Sequence, residues 1–157
     1  MQSIPILNLD DSAHLLKALE DFLEKSEATF AMLIDRGGAV LAQHGALPSD
    51  TDSMIIAALA AGSFAATKEL ARRLGEAEFN ALHQQGQRSQ VLTCSVDDDA
   101  ILVTVFGPQT TQGLVRFYSA NAIARLAALL NQARTNQQAI PVFTESDVQS
   151  AQEIFNR

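Results

Sequence analysis

The chain has 157 residues, of which 47% are apolar, a formal net charge of −7 and a single cysteine. This length indicates one domain with a packed core. The acidic balance excludes a general nucleic-acid binder and argues against electrostatic docking on an anionic membrane. Because Cys94 has no partner for a disulfide and residues 1–5 do not resemble a secretion signal, we expect a cytoplasmic protein without membrane insertion.

The N-terminal part of the chain predicts a helix followed by a hairpin. Asp10 and Asp11 offer N-cap side chains, and apolar residues then recur at helical spacing, which predicts a helix over residues 11–26. The apolar run at residues 30–34 predicts a strand buried on both faces. A Gly-Gly turn and a second strand over residues 39–43 complete the hairpin.

The middle of the chain predicts a long helix and three strands. The helix covers about residues 52–74 and stops at Gly75, a typical C-terminal stop. A weak strand is predicted over residues 79–85, a clearer one over 89–96, and the strongest one over 100–106.

The C-terminal part predicts a third helix over about residues 112–135, although its first turns could also be extended, and a short tail helix that starts near Thr144. We expect one domain over residues 1–136 and a C-terminal extension over 137–157. The order α-β-β-α-β-β-β-α predicts an α+β (α/β) sandwich. In it, a five-stranded antiparallel sheet carries a long helix on one face and two helices on the other.

The sequence lacks motifs for nucleotide or metal chemistry. There is no P-loop and no glycine-rich dinucleotide fingerprint, and His14, His44 and His83 belong to different predicted elements. We therefore expect no cofactor, no metal and no catalytic residue.

Cys94 and an acidic turn are the two features that could still carry chemistry. Cys94 lies inside a predicted strand, where a small core residue is favoured over a nucleophile. Asp97, Asp98 and Asp99 are expected to be solvated turn residues rather than a cation site, since no regular calcium-loop spacing surrounds them.

Four arginines are candidates for contacts with phosphate or an acidic partner: Arg72, Arg73, Arg88 and Arg116. Arg72 and Arg73 lie near the predicted C-terminal end of the second helix, where a positive charge stabilises the helix dipole. This structural role is favoured over a functional one.

The second helix is too apolar for a helix with one buried stripe. Residues 53–67 carry no charge on any side, whereas a helix that covers one face of a sheet needs only one apolar stripe. We expect its surplus face to meet another chain, most simply its own copy; a monomer with an exposed Ala-rich face is the alternative. The residues predicted to form this surplus face are small and would permit close helix packing: Ala57, Ala58, Ala61, Gly62 and Ala65.

Residues 30–42 resemble the opening hairpin of the Roadblock family, which is related to dynein light chains. Residues 65–79 are similar to the bacterial MglB branch of that family. The same is true of three shorter segments: 83–86, 103–106 and 113–115. Each motif is short, but their order and spacing extend the resemblance over residues 11–135.

This resemblance implies a homodimer that binds a small Ras-like GTPase. Roadblock proteins pair through the second helix and the following strand, so that two sheets join. MglB-type proteins resemble GTPase-activating proteins that rearrange the switch loops of the GTPase without an arginine finger, in cell polarity. A Roadblock scaffold without catalytic effect is the alternative, and an unrelated enzyme that uses Cys94 is a third hypothesis.

Carried over to this sequence, the resemblance and the apolar helix together give two sets of site residues. The predicted dimer interface contains Met54, Ala57, Ala58, Ala61, Gly62, Phe79 and Leu82. The predicted GTPase-binding residues are Ala61, Ala65, Lys68, Glu69 and Arg72. Residues 144–157 occupy the place of the MglB tail that can touch the GTPase, but they match no motif.

Overall fold

The computed structural model describes residues 4–138 and 145–156. The helices are α1 (Leu9–Ser26), α2 (Ser53–Arg73), α3 (Gln112–Gln138) and α4 (Glu145–Phe155). The strands are β1 (Phe30–Asp35), β2 (Val40–Gly45), β3 (Ala81–Gln85), β4 (Gln90–Ser95) and β5 (Ala100–Phe106). All five strands form one antiparallel sheet in the order β2-β1-β5-β4-β3. The predicted element order and fold class are confirmed.

The sheet separates two hydrophobic layers. On one face α1 and α3 pack together, and Leu19 and Leu126 are fully buried against Leu33 and Leu102 of the central strands. On the other face α2 is the one described helix that packs over the sheet. The buried residues of α2 that pack there are Ala57, Ala61 and Phe64. They contact a layer of the sheet that includes Met32, Ile34 and Val103.

Strands β1 and β5 form the buried centre of the sheet. Every residue of β5 is buried, and in β1 only Asp35 is partly exposed. This confirms the prediction that residues 30–34 form a strand covered on both faces. Such a strand has no polar face, which explains why its sequence is a continuous apolar run and not an alternating one.

The turn between β1 and β2 is held by a side chain and lies close to α2. The Asp35 carboxylate accepts hydrogen bonds from the N–H groups of Gly37 and Ala39, at 2.9 and 2.8 Å. Gly38 has a φ of +93°, and a Cβ at this position would lie 2.9 Å from the Cα of Ala58 in α2. Only glycine tolerates both the left-handed backbone and this close approach.

The ends of several elements differ from the sequence prediction. Strand β3 begins at Ala81 and not at 79, and α3 continues to Gln138 beyond the expected end at 135. Polar residues end the apolar stripe of α3 without interrupting its backbone hydrogen bonds. The first turns of α3 are helical, which decides between the two predicted alternatives. Thr144, the expected start of the tail helix, lies outside the described residues.

The acidic turn between β4 and β5 is not simply solvated. The Arg134 guanidinium of α3 lies 3.0 Å from Asp97 Oδ2 and 3.9 Å from Asp99 Oδ2, and both carboxylate side chains are only 16% exposed. Asp97 also accepts from the N–H groups of Asp99 and Ala100. The prediction of solvated carboxylates is therefore wrong for Asp97 and Asp99. Their cation comes from a distant part of the chain, which the turn sequence does not reveal.

Candidate interaction surface on α2 and β3

Helix α2 leaves a broad apolar face uncovered. Met54 is 71% exposed, Leu59 63% and Leu70 52%. The outer face of α2, as we define it, consists of the exposed uncharged residues Met54, Ile55, Ala58, Leu59, Gly62, Ala65, Ala66 and Leu70. A contiguous apolar surface of this kind is unusual on a monomer and is typical of a protein–protein contact.

Two residues predicted for the surplus face lie on the opposite side of the helix. Ala57 is 0% exposed and Ala61 4%, and both pack with Phe64 against the sheet. The prediction that they belong to the outer face is wrong. Small residues on the inner side allow α2 to lie close to the sheet, while Phe64 fills the remaining space.

The outer face also contains the large residues Ile55, Leu59 and Leu70, whereas only small residues are predicted for it from the sequence. Helical periodicity gives the angular positions of these residues. Taken from Phe64 at 100° per residue, Leu59 and Leu70 point away from the buried stripe. Because two sides of α2 are apolar, periodicity alone does not show which side is buried. The packing of α2 against the sheet decides it.

Gly62 faces open space on α2. Apart from the helix backbone itself, a Cβ built on it meets no atom of the described residues within 4 Å, and its backbone is helical. Glycine inside a helix costs roughly 0.5–1 kcal/mol relative to alanine. An exposed helical glycine without an intramolecular contact is consistent with close approach of a second chain at this point.

Strand β3 forms one edge of the sheet. Within the described residues it pairs only with β4, so one row of its backbone groups is unpaired in the protomer. Leu82 is half-buried and packs on the side of the sheet that α2 covers, and Phe79 is half-buried just before the strand. An uncharged edge strand of this kind is a template for pairing with another strand.

The C-terminal end of α2 carries an exposed cluster of charges. Glu69 accepts two hydrogen bonds from Arg72, at 2.7 and 2.9 Å, and one from Arg73 at 2.9 Å. Hydrogen bonds from Arg72 first, and Arg73 second, lower the pKa of the Glu69 carboxyl below its ordinary value. Ala65, Lys68, Glu69 and Arg72 are all accessible to a partner. Exposed ion pairs add little to stability, so these charges are free to serve recognition.

Cys94 is unsuited to nucleophilic chemistry. It is 6% exposed, and burial raises the pKa of its thiol to about 11 against the partly opposing effects of Arg116 and Ser119. A reactive cysteine needs the opposite shift, because the thiolate is the nucleophile. The predicted role of a small core residue is confirmed.

The described residues contain no group of three or more His, Cys, Asp or Glu side chains that could hold a metal ion. Two of the candidate arginines, Arg88 and Arg116, are exposed and lie away from α2. Arg88 borders a shallow cleft of about 270 Å³ beside Leu47 and Gln109. The structure therefore does not bring the four candidate arginines together.

Among the described helices, α2 alone is long and apolar enough to cross a membrane by length and composition. A helix that belongs to a globular core meets the same criterion. Since Ala57, Ala61 and Phe64 pack on the sheet, α2 is one layer of the folded domain in this structure.

A sequence model of the Roadblock/LC7 domain matches residues 15–106, which include the whole of β1 to β5 and α2. The chain belongs to the Roadblock/LC7 family. This family is a regulatory scaffold fold and not a recognised catalytic fold. No curated protein matches the sequence significantly.

Among solved structures, this Roadblock chain is similar to several MglB proteins. It is 32% identical to an MglB with a tetrameric arrangement, covering 85% of this chain and 99% of that one, with a TM-score of 0.78. It is 33% identical to the gliding protein MglB from Thermus thermophilus, covering 84% and 99%, with a TM-score of 0.77. Myxococcus xanthus MglB has the same fold at 23% identity, covering 82% and 96%, with a TM-score of 0.74. The chain therefore falls in the MglB-like branch of the family.

Proposed function

We propose that this protein is a homodimeric regulator of a small Ras-like GTPase and that it acts as a GTPase-activating protein. The observation that carries the proposal is the uncovered apolar face of α2, together with an edge strand, β3, that pairs only with β4 among the described residues. Identities of 32% and 33% to two MglB proteins over 99% of their chains support the same assignment.

The proposed dimer pairs α2 with its copy and β3 with its copy about a two-fold axis. The N-terminal half of the outer face, from Met54 to Gly62, forms the helix seam in this arrangement. Phe79 and Leu82 lie where the two sheets would join. Ala57 and Ala61 support the seam from inside by holding α2 against the sheet. An isologous contact of this type closes at two subunits.

The proposed GTPase contact lies toward the C-terminal end of the outer face, at Ala65, Lys68, Glu69 and Arg72. Ala61 is covered by its own sheet and contributes only through the position of the helix. The exposed arginines are already engaged by Glu69, and the proposal assigns none of them to the transition state as an arginine finger.

Activation by such a surface rests on positioning. Phosphoryl transfer needs little covalent help from a protein, because aligning the water and the charge-stabilising groups lowers the barrier. A dimer that binds one conformation of the switch loops better than the others increases the population of that conformation. The GTPase then uses its own catalytic groups.

The decisive experiment measures single-turnover GTP hydrolysis by a small Ras-like GTPase, chosen as one encoded next to this chain where the genome has one, with and without the purified protein. We expect a clear increase in rate that is lost with Ala65→Arg and retained with the exposed control Arg88→Ala. If the protein binds the GTPase without changing the rate of hydrolysis, it is a scaffold and not an activator. No binding at all would refute both.

A cytoplasmic location and a role in cell polarity follow from the same proposal. One relative is described as a gliding protein and another as a tetrameric MglB. Deletion of this chain is therefore expected to alter the polar distribution of its GTPase, which fluorescence microscopy of a tagged GTPase measures. We also propose that residues 137–157 form an extension outside the domain over residues 1–136.

A further inference from the structure

The face of the sheet opposite α2 carries a small apolar groove between α1 and α3. Its floor is formed by Ala18, Phe22 and Ala122, all buried, together with the half-buried Tyr118. The space measures about 80 Å³. Phe117, 67% exposed, stands edge-to-face against Tyr118 with ring centroids 5.2 Å apart and adds an apolar lip.

The lining of this groove has a cationic excess although the chain as a whole carries −7. Lys25 and Arg125 are exposed, and the single lining carboxylate, Asp21, is bound by Arg125 at 2.7 Å and by Lys17 at 3.1 Å. These two partners, Arg125 first, lower the pKa of the Asp21 carboxyl below its ordinary value. An acidic apolar segment therefore has matching chemistry for the groove.

Helix α4 has this chemistry. Its sequence contains Glu145, Asp147 and Glu153 and no lysine or arginine. Near its C-terminal end Ile154 is 75% exposed and Phe155 is 92% exposed. Both the groove and these apolar side chains of α4 are thus uncovered in this structure.

We propose that α4 docks into the groove between α1 and α3 of its own chain, with Phe155 against Tyr118 and Phe117. The groove is smaller than the roughly 150 Å³ cavity that holds a benzene molecule. A phenyl ring would therefore enter part way and rest its outer edge on Phe117. The carboxylate of Glu153, two residues before Phe155, would then lie near Lys25.

The chain is long enough for this contact within one protomer. Tyr118 lies about 30 Å from Gln138 along α3, at 1.5 Å per residue. Residues 139–144 can bridge at most about 23–25 Å, at 3.3–3.6 Å per residue over seven steps. The ten steps from Glu145 to Phe155 add about 15 Å. A short connection also gives the tail a high effective concentration, which favours its own groove over that of a second copy.

The docked tail would leave the outer face of α2 free, since the groove lies on the opposite face of the sheet. The inference is independent of a GTPase and can be tested on the purified chain alone. Because the chain has no tryptophan and Tyr118 is its single tyrosine, one introduced tryptophan gives an unambiguous fluorescence signal.

The test compares Phe155→Trp with the matched control Gln149→Trp, whose position lies on the polar side of α4. At low salt we expect the tryptophan at position 155 to be several-fold less accessible to acrylamide than the one at 149 and to quench Tyr118 emission. Added Lys25→Glu or 1 M salt, where the Debye length is about 3 Å, should remove most of the difference. Thermal unfolding verifies that each variant is folded.

Equal accessibility of the two tryptophans at low salt would overturn the proposal. So would a protection that survives both Lys25→Glu and high salt, because the tail would then pack elsewhere. Protection that rises with protein concentration would assign the tail to the groove of a second copy and would also overturn docking within one chain.

Discussion

Arg36 lies over the ring of Phe64, with its guanidinium carbon 5.7 Å from the ring centroid. The same guanidinium donates to Ser95 Oγ at 2.9 Å and to the carbonyl oxygen of Asp97 at 2.7 Å. It also lies 3.7 Å from the Glu78 carboxylate in the loop before β3. One side chain thereby joins the β1–β2 turn, the β4–β5 turn, the inner side of α2 and the approach to the sheet edge.

Arg36→Lys is expected to lower the free energy of unfolding by about 1–3 kcal/mol, because an ammonium cannot reproduce the planar set of hydrogen bonds and leaves carbonyl groups unpaired. Urea denaturation followed by circular dichroism measures the change. The exposed Arg88→Lys is the matched control and should be neutral. Equal midpoints for both variants would contradict the structural role of Arg36.

Ala61→Arg and Ala65→Arg are expected to impair different properties of the protein, stability in the first case and partner binding in the second. Ala61 is buried against the sheet, so a charge there lacks water and a partner, and the protomer should lose several kcal/mol of stability. Ala65 is exposed in the proposed GTPase contact, so Ala65→Arg should leave the fold and the dimer intact and weaken GTPase binding. Thermal unfolding, sedimentation velocity and a GTPase-binding assay separate the two effects. A stable Ala65→Arg variant that binds the GTPase as well as the native chain does would remove this residue from the GTPase contact.

Gly62→Ala is expected to stabilise the protomer and weaken the dimer. Apart from the helix backbone, no atom of the described part of the chain lies within 4 Å of a Cβ at Gly62, so alanine fits without a clash and helix propensity favours it. The gain should be about 0.5–1 kcal/mol. It is best measured in a Leu59→Arg background, where a charge in the proposed helix seam is expected to remove association.

In the chain with native Leu59, the same Gly62→Ala change should raise the dissociation constant measured by sedimentation equilibrium. An unchanged dissociation constant would mean that no second backbone approaches Gly62 closely.

Cys94 is expected to resist thiol reagents in the native state. Its pKa is raised to about 11 by burial, against an ordinary value of 9.0. Two pKa units reduce the thiolate fraction at pH 8 roughly a hundredfold. The rate of iodoacetamide labelling, compared in buffer and in urea, measures this, and similar rates in both would show that the thiol is accessible.

The raised pKa of Cys94 also predicts how the stability of the protein depends on pH. The unfolded thiol ionises near pH 9.0, whereas the native thiol stays protonated until about 11. The unfolded state therefore binds fewer protons between these values, and stability falls as the pH rises through that interval. Cys94→Ala should flatten this part of the pH profile of the urea midpoint.

Local sequence was sufficient for the elements and their order. The continuous apolar runs of β1 and β5 predict buried strands, because a strand covered on both faces has no polar positions. The Asp35-Arg36-Gly37-Gly38 segment predicts the turn, since glycine there meets the left-handed backbone at Gly38. The absence of charge over residues 53–67 predicts that α2 has more apolar surface than one sheet can cover.

Only the tertiary structure decided which side of α2 is covered. Both sides are apolar, so periodicity cannot distinguish Ala57 and Ala61 inside from Leu59 and Leu70 outside. The choice depends on how closely the helix can approach the sheet, which is a property of packing and not of hydropathy. In the same way, the carboxylates of Asp97 and Asp99 meet Arg134 from a distant helix. Contacts between residues far apart in the chain leave no local pattern, and the contacts of α2 with the sheet determine which of its faces stays exposed.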